Sequence, residues 1–298
     1  MSVKNPTSES PAPVPPFLID HPDAQSVPLV FASPHSGRDY PADFVAGARL
    51  DPVSLRRSED GFVDDLFAAA PEFGAPLLRA TFPRAFIDAN REPFELDQGM
   101  FSDKLPDYVN THSSRVAAGL GTIARVVSSG QDIYPRKLTF SEAAERIRAF
   151  YRPYHKALET LIHETRKRFG YAVVVDCHSM PSIGGPLDPD VGHGRADFVV
   201  GDCFGSTCAP YITDAIECTI AGFGYAVARN KPFAGGFTTR HYGQPGDGVH
   251  TVQIEINRAL YMNEVRIEKN AGFDHVAAQM TDVIVALAQL TAQRSEEH

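Results

Sequence analysis

The chain is short of several things, and each shortage removes a class of function. Its formal net charge is -9 over 298 residues, which argues against a surface built to hold nucleic acid or an anionic membrane. No apolar run approaches the length needed to cross a bilayer. The opening MSVKNPTSESPAPVPPFLID has neither the basic start nor the apolar centre of a signal peptide. Cysteine occurs only at Cys177, Cys203, Cys208 and Cys218, never as Cys-x-x-Cys, so neither a disulfide scaffold nor a thiolate zinc site is expected. A reducing cytoplasm is the compartment that fits. There is no Gly-x-Ser-x-Gly elbow for a serine hydrolase, no Walker-type phosphate loop and no internal repeat.

What is present is an ordinary globular balance, 43% hydrophobic and 22% charged, in a chain long enough to bury a sizeable core. Residues 1–16 are rich in proline and serine and read as a flexible lead-in. From Phe17 to His298 no composition shift marks a boundary, and a single domain over 17–298 is expected. Pro28 to Ala32 and Val173-Val174-Val175 read as strands buried on both faces, the kind found inside a parallel sheet. Ala75 to Phe82, Phe86-Ile87-Asp88, Asp197 to Val200, Tyr225 to Ala228 and Thr251 to Ile256 also read as strands. Helical spacing runs through Asp51 to Ala70, through Thr139 to Phe169 with a capping box at Thr139-Phe140-Ser141-Glu142, through Thr207 to Gly222 and through Asn263 to Ala292. Pro153 should kink or split the second of these. Strands alternating with helices imply an α/β three-layer sandwich around a central mixed, mostly parallel sheet.

Two strands of like design each run out into a histidine, at His35 and His178. In such sheets reacting groups sit just past the carboxyl ends of the strands. Glu59 and Asp60 open the second part of a helix shortly after His35. Glu255 lies inside an apolar strand, either on a solvent face with Gln253 and Asn257 or buried at a cost that a function must justify. Two histidines, a carboxylate and a further glutamate are the make-up of a hydrolytic zinc site; single strand-end histidines also serve purely structural roles. Arg84, Arg91, Arg229, Arg240 and Lys231 fall in the same strand-end and loop segments. They suggest a pocket for a small anion, unless they pair with local acids such as Asp88 and Glu92. His155 and His163 read as packing or surface residues, and His241 is the outsider for a site role.

The segments Ser33-Pro34-His35-Ser36-Gly37, Ile87-Asp88-Ala89-Asn90-Arg91, Asp176 to Pro181, Asn230 to Gly236 and Gln253 to Arg258 resemble, in order, the motifs of the N-formylglutamate amidohydrolase family. The resemblance spans roughly residues 28 to 262. It implies a phosphorylase/hydrolase-like fold akin to zinc carboxypeptidases and aspartoacylase-like deacylases. It also implies a single zinc on His35, His178 and an acidic residue, with Glu255 as general base. The carboxypeptidase pattern would put the acid at position 38, which is Arg38 here. The resemblance points instead to Ser58-Glu59-Asp60-Gly61, where Asp60 fits best, with Glu59 and Asp39 as alternatives. Asn90-Arg91 matches a carboxylate-gripping pair and Arg84 is implied as the oxyanion stabiliser; Arg240, one of the loop arginines above, is expected as a further carboxylate contact. The implied reaction is hydrolysis of N-formyl-L-glutamate, or a related N-acyl acidic amino acid, to formate and glutamate, late in histidine breakdown. An aspartoacylase- or carboxypeptidase-like hydrolase, or a silent small-acid-binding relative, is the alternative on the same scaffold.

Overall fold

Among the residues described by the computed structural model, 14–295, seven strands form the main sheet. They are β1 (Phe17–Asp20), β2 (Leu29–Ser33), β3 (Leu77–Ala80), β4 (Ala172–Met180), β5 (Phe198–Gly201), β6 (Val227–Arg229) and β7 (Val249–Asn257). The order across the sheet is β1-β3-β2-β4-β7-β5-β6. The pairs β2/β3, β2/β4, β4/β7 and β5/β6 are parallel, while β1/β3 and β5/β7 are antiparallel. This is the mixed, mostly parallel sheet expected from the sequence. The lead-in expected over 1–16 lies outside the described residues up to position 13.

All nine residues of β4 are buried, because helices cover both faces. Val174 and Val30 pack with Tyr154, Leu158 and Ile162 of the Arg152–Phe169 helix on one face. Val173, Val175 and Ile254 pack on the other face with Ile212, Ile216 and Ile220 of the Pro210–Gly222 helix and with Val276, Met280 and Val283 of the Phe273–Ser295 helix. Each such aliphatic side chain, fully buried, stabilises the fold by about 1.5–3 kcal/mol. Strand alternation therefore sorts β4 into two sets. Asp176 and His178 belong with Val174, on the face of the Arg152–Phe169 helix, and this places the polar strand end in a space beyond that helix layer.

The capping box at Thr139 is present, and Gly170, at φ +83° in the left-handed region that disfavours side chains, ends the helix where β4 begins. Near Pro153 the helical run is interrupted, as expected: a π-helical turn over Ile147–Tyr151 separates the Phe140–Arg146 and Arg152–Phe169 helices. Two local expectations are corrected. Phe86 to Asp88 is a turn rather than a strand, closed by the backbone N–H groups of Phe86 and Ile87 donating to Pro83 O at 2.9 and 3.3 Å. Asp51 to Ala70 is not one helix or a simple pair but short pieces, Pro52–Leu55, Arg56–Ser58 and Val63–Leu66. Phe62 at φ +66° breaks the run, and Glu59 and Asp60 stand in the break instead of a helical first turn.

Candidate functional site

Parallel pairing of β4 with β7 puts His178 directly beside Glu255 and Asp176 beside Gln253. His35, just past β2, joins them through the β2/β4 pairing, and the Asp60 backbone N–H donates to His35 O at 3.0 Å. Three chain segments distant in sequence thus meet at one point. His35, Asp60 and His178 are each buried and can offer ligand atoms within 4.8 Å of one another. His178 Nδ1 lies 3.0 Å from Asp60 Oδ2 and His35 Nδ1 lies 3.4 Å from the same oxygen.

The opposite nitrogens of both rings face carboxylates. His35 Nε2 is 2.8 Å from Asp88 Oδ1 and His178 Nε2 is 3.0 Å from Asp176 Oδ1. A proton on each of those nitrogens would free the two Nδ1 atoms beside Asp60 for a metal, the tautomer a metal-ligating histidine needs. His35 Nδ1 is buried and makes no hydrogen bond. An orphaned ring nitrogen, a second Nδ1 and a carboxylate oxygen, each ring backed by an acid, could hold a metal ion.

Burial alone would raise the Asp60 carboxyl, but His178, His35 and Arg258 outweigh it and hold Asp60 well below the usual carboxylate range. Arg258 Nη2 donates to Asp60 Oδ1 at 2.8 Å. Burial works against a charge on His178, yet Asp176, Asp60 and Glu255 hold it well above the ordinary imidazole value. Burial raises Glu255 to about 7, with Asp60 adding to the effect and His178 opposing it. Glu255 is thus the buried alternative of the two considered, and Gln253 and Asn257 on its face are buried too. Gln253 Nε2 donates to Glu255 Oε1 at 2.8 Å, while its Oε1 accepts from Gly236 N at 2.9 Å.

The other acids considered for the cluster are placed elsewhere. Glu59 is gripped by Arg56 at 2.9 and 2.8 Å and accepts from Tyr40. Asp39 is exposed. Arg38 pairs with Asp64 at 2.8 Å.

The cluster lies at the foot of a cavity of about 420 Å³, lined among others by Arg84, Asn90, Arg91, Arg240 and Glu255. Arg84 Nε donates to Asp88 Oδ2 at 2.9 Å. Thr238 N donates to Asn90 Oδ1 at 2.8 Å, fixing the amide so that Nδ2 lies 3.1 Å from His178 Nε2. A side chain at Gly236 would fall 2.2 Å from that Nδ2, so the glycine is required for the loop to close on Asn90. Arg91 donates from Nε to Leu120 O at 2.8 Å and from Nη1 to Asn90 O at 2.7 Å. Burial lowers Arg91 to about 9, with Asp88 opposing. Arg229 is away from the cavity, bound to Asp214 and Glu217. His155 is a packing residue, with Nε2 2.8 Å from Ala89 O, and His241 stacks on Phe237 outside the cavity wall.

Sequence reasoning assigned no site role to Asp176, Gln253, Arg115 or Arg258, and marked Asp88 only as a local partner for the arginines, which it is for Arg84 and Arg91. A signal existed for two of them: Asp176 precedes His178 by two on one strand, and Gln253 precedes Glu255 by two, so alternation places each pair on a shared face.

Fold and site together define a class: an α/β hydrolase with a buried two-histidine, one-carboxylate cluster able to hold a metal, and a separate buried glutamate. Within that class the chain belongs to the N-formylglutamate amidohydrolase family, whose model matches residues 27–262. It is 31% identical to an N-formylglutamate deformylase of Pseudomonas aeruginosa over 80% of this chain and 83% of the relative. It is 28% identical, with the same coverage, to an N-formylglutamate deformylase of Pseudomonas putida. The crystal structure of N-formylglutamate amidohydrolase from Ralstonia eutropha JMP134 superposes with a TM-score of 0.87 at 38% identity, covering 94% of this chain and 99% of that one. No helix among the described residues is long and apolar enough to cross a membrane.

Proposed function

We propose that this protein hydrolyses the amide bond of N-formyl-L-glutamate, or a closely related N-acyl acidic amino acid, with residues 17–298 acting as one catalytic domain. The observation that carries the reading is the β4/β7 register, which sets Glu255 beside His178 at the foot of an arginine-lined cavity. The names of the relatives supply the substrate.

His35 Nδ1, His178 Nδ1 and Asp60 would hold a zinc ion, with Asp88 and Asp176 orienting the rings. The chemistry such an ion would supply there is Lewis-acid activation of a water and of the substrate carbonyl. Glu255 takes the proton of the attacking water and delivers it to the departing amine. Gln253 holds one of its oxygens and leaves the other for the proton. A carboxyl brought to about 7 by burial has the affinity that both transfers require near neutral pH. Arg84, held in place by Asp88, turns its guanidinium to the oxyanion. Asn90, Arg91 and Arg240 bind the substrate carboxylates.

Formate released from N-formyl-L-glutamate, N-acetyl-L-aspartate turnover and peptide hydrolysis, measured side by side, test the reading. Formate release should dominate. Turnover confined to the acetyl substrate or to peptides would replace it with the deacylase or peptidase alternative.

A further inference from the structure

Six guanidinium groups line the cavity, those of Arg84, Arg91, Arg115, Arg195, Arg240 and Arg258. Four face carboxylates of the protein. Arg84 and Arg91 share Asp88 at 2.9 and 3.5 Å, Arg195 meets Asp188 and Asp190 at 2.7 and 2.8 Å, and Arg258 meets Asp60 at 2.8 Å. The remaining two differ. Arg115 makes no hydrogen bond or ion pair with its side chain among the described residues, and Arg240 has the Cys203 thiol beside it but no carboxylate. Burial works against the Arg115 charge, and the nearby Arg84 and Arg240 repel it further, while Asp88 and Glu95 offset this only in part. A part-buried cation such as Arg115 without counter-charge is costly, the exposed Arg240 adds a second positive charge beside it, and a bound anion removes the cost.

The backbone beneath Arg115 is held firmly. Ser113 caps the Ser114–Ala117 turn, with Val116 N donating to its Oγ at 3.0 Å, and its hydroxyl also donates to Glu95. Leu120 N donates to Arg115 O at 2.8 Å, and Leu120 O accepts from Arg91 Nε. Arg115 and Arg91 therefore stand on one braced wall of the cavity, near enough for the Arg115 charge to work against that of Arg91.

We propose that Arg115, with Arg240, forms a second anion subsite that receives the side-chain carboxylate of the substrate and sets the preference for an acidic over a neutral N-acyl amino acid. This rests on the reaction proposed above, with the first carboxylate at Asn90 and Arg91. The test pairs two substrates and one non-reacting probe, the dicarboxylate glutarate. In Arg115→Met, glutarate binding measured by calorimetry should weaken by about tenfold or more, as expected for a charge-assisted pair. kcat/KM for N-formyl-L-glutamate should fall by a similar factor, mainly through KM, while N-formyl-L-glutamine changes by less than about twofold. Arg115→Lys should restore part of the loss. Unchanged glutarate binding, or equal losses on both substrates, overturns the subsite. Weakened glutarate binding in a protein that turns over neither amide upholds the subsite and overturns the reaction instead. Arg115→Gln, read the same way, serves if the methionine variant does not fold.

Discussion

The two sides of the cavity are built on opposite principles. On the strand side, each member of the cluster is backed by a partner: His35 by Asp88, His178 by Asp176, Asp60 by Arg258. On the loop side, Arg115 and Arg240 have no carboxylate partner among the described residues. Ligands braced in this way are prepared for a reaction; an under-neutralised wall is prepared for a ligand that brings its own negative charge. The same contrast appears in the supports. The strand side is held by sheet register, whereas the loop side depends on individual hydrogen bonds: Asn90 Oδ1 accepts from Thr238 N, Arg91 donates to Leu120 O, Ser113 Oγ accepts from Val116 N, and the His155 ring meets Ala89 O.

The largest expected effect breaks the strand side alone. Glu255→Gln should lower turnover by about 10²- to 10⁴-fold, the usual range for general acid–base catalysis, with bound metal and glutarate affinity unchanged. Retained activity would remove Glu255 from the reaction and leave the strand side a binding site only.

The next effect concerns the loop side. His155 is buried with its Nε2 2.8 Å from Ala89 O and its Nδ1 2.9 Å from the Tyr242 hydroxyl. Burial lowers its pKa from 6.5 to about 4. Because the folded value is the lower one, the unfolded chain binds the proton first as the solution is acidified. The neutral-histidine contribution is complete above about pH 6.5 and is lost as pH falls to about 4, worth about 3 kcal/mol in all. Urea unfolding of the native protein and of His155→Gln, compared at steps between these limits, should show the gap between them closing with acid. A gap independent of pH would mean that His155 does not anchor the Ala89–Arg91 loop as a neutral ring.

Smaller again is Asp176→Asn, which keeps the shape of the group behind His178 but removes its charge. Metal affinity, read by competition with a zinc-binding dye, should weaken by about 10- to 100-fold, sharpening the view that the strand side is tuned by its paired acids. The smallest change lies outside both sides: Thr139→Ala removes the helix cap and should cost about 1 kcal/mol of stability with kcat/KM unaltered. A kinetic change there would show that the cavity is coupled to the whole helix layer and not to its two walls.

Much of the strand side was legible before the structure. His35, His178 and Glu255 each announce themselves by standing out from an apolar run, and the strand pattern around them depends only on neighbours in sequence. Asp60 was harder, since Glu59 beside it is equally acidic; the choice follows from Phe62 turning the chain and Arg56 capturing Glu59. Asp88 was read as part of a strand because Phe86 and Ile87 are apolar, yet their turn is what carries Asp88 to His35. Arg115 sits in a segment without periodicity, and nothing local distinguishes it from a solvated arginine.

The alternation of strands and helices, the mixed α/β sheet, the burial of β4 and the order of motifs that mark the family are legible in the residues alone. These are consequences of local side-chain period and residue type. Which acid joins the two histidines, and which arginines lack a carboxylate partner among the described residues, follow from the folded chain. Those are questions of pairing between segments far apart in the chain, answered by sheet register and loop path, and no local pattern encodes either.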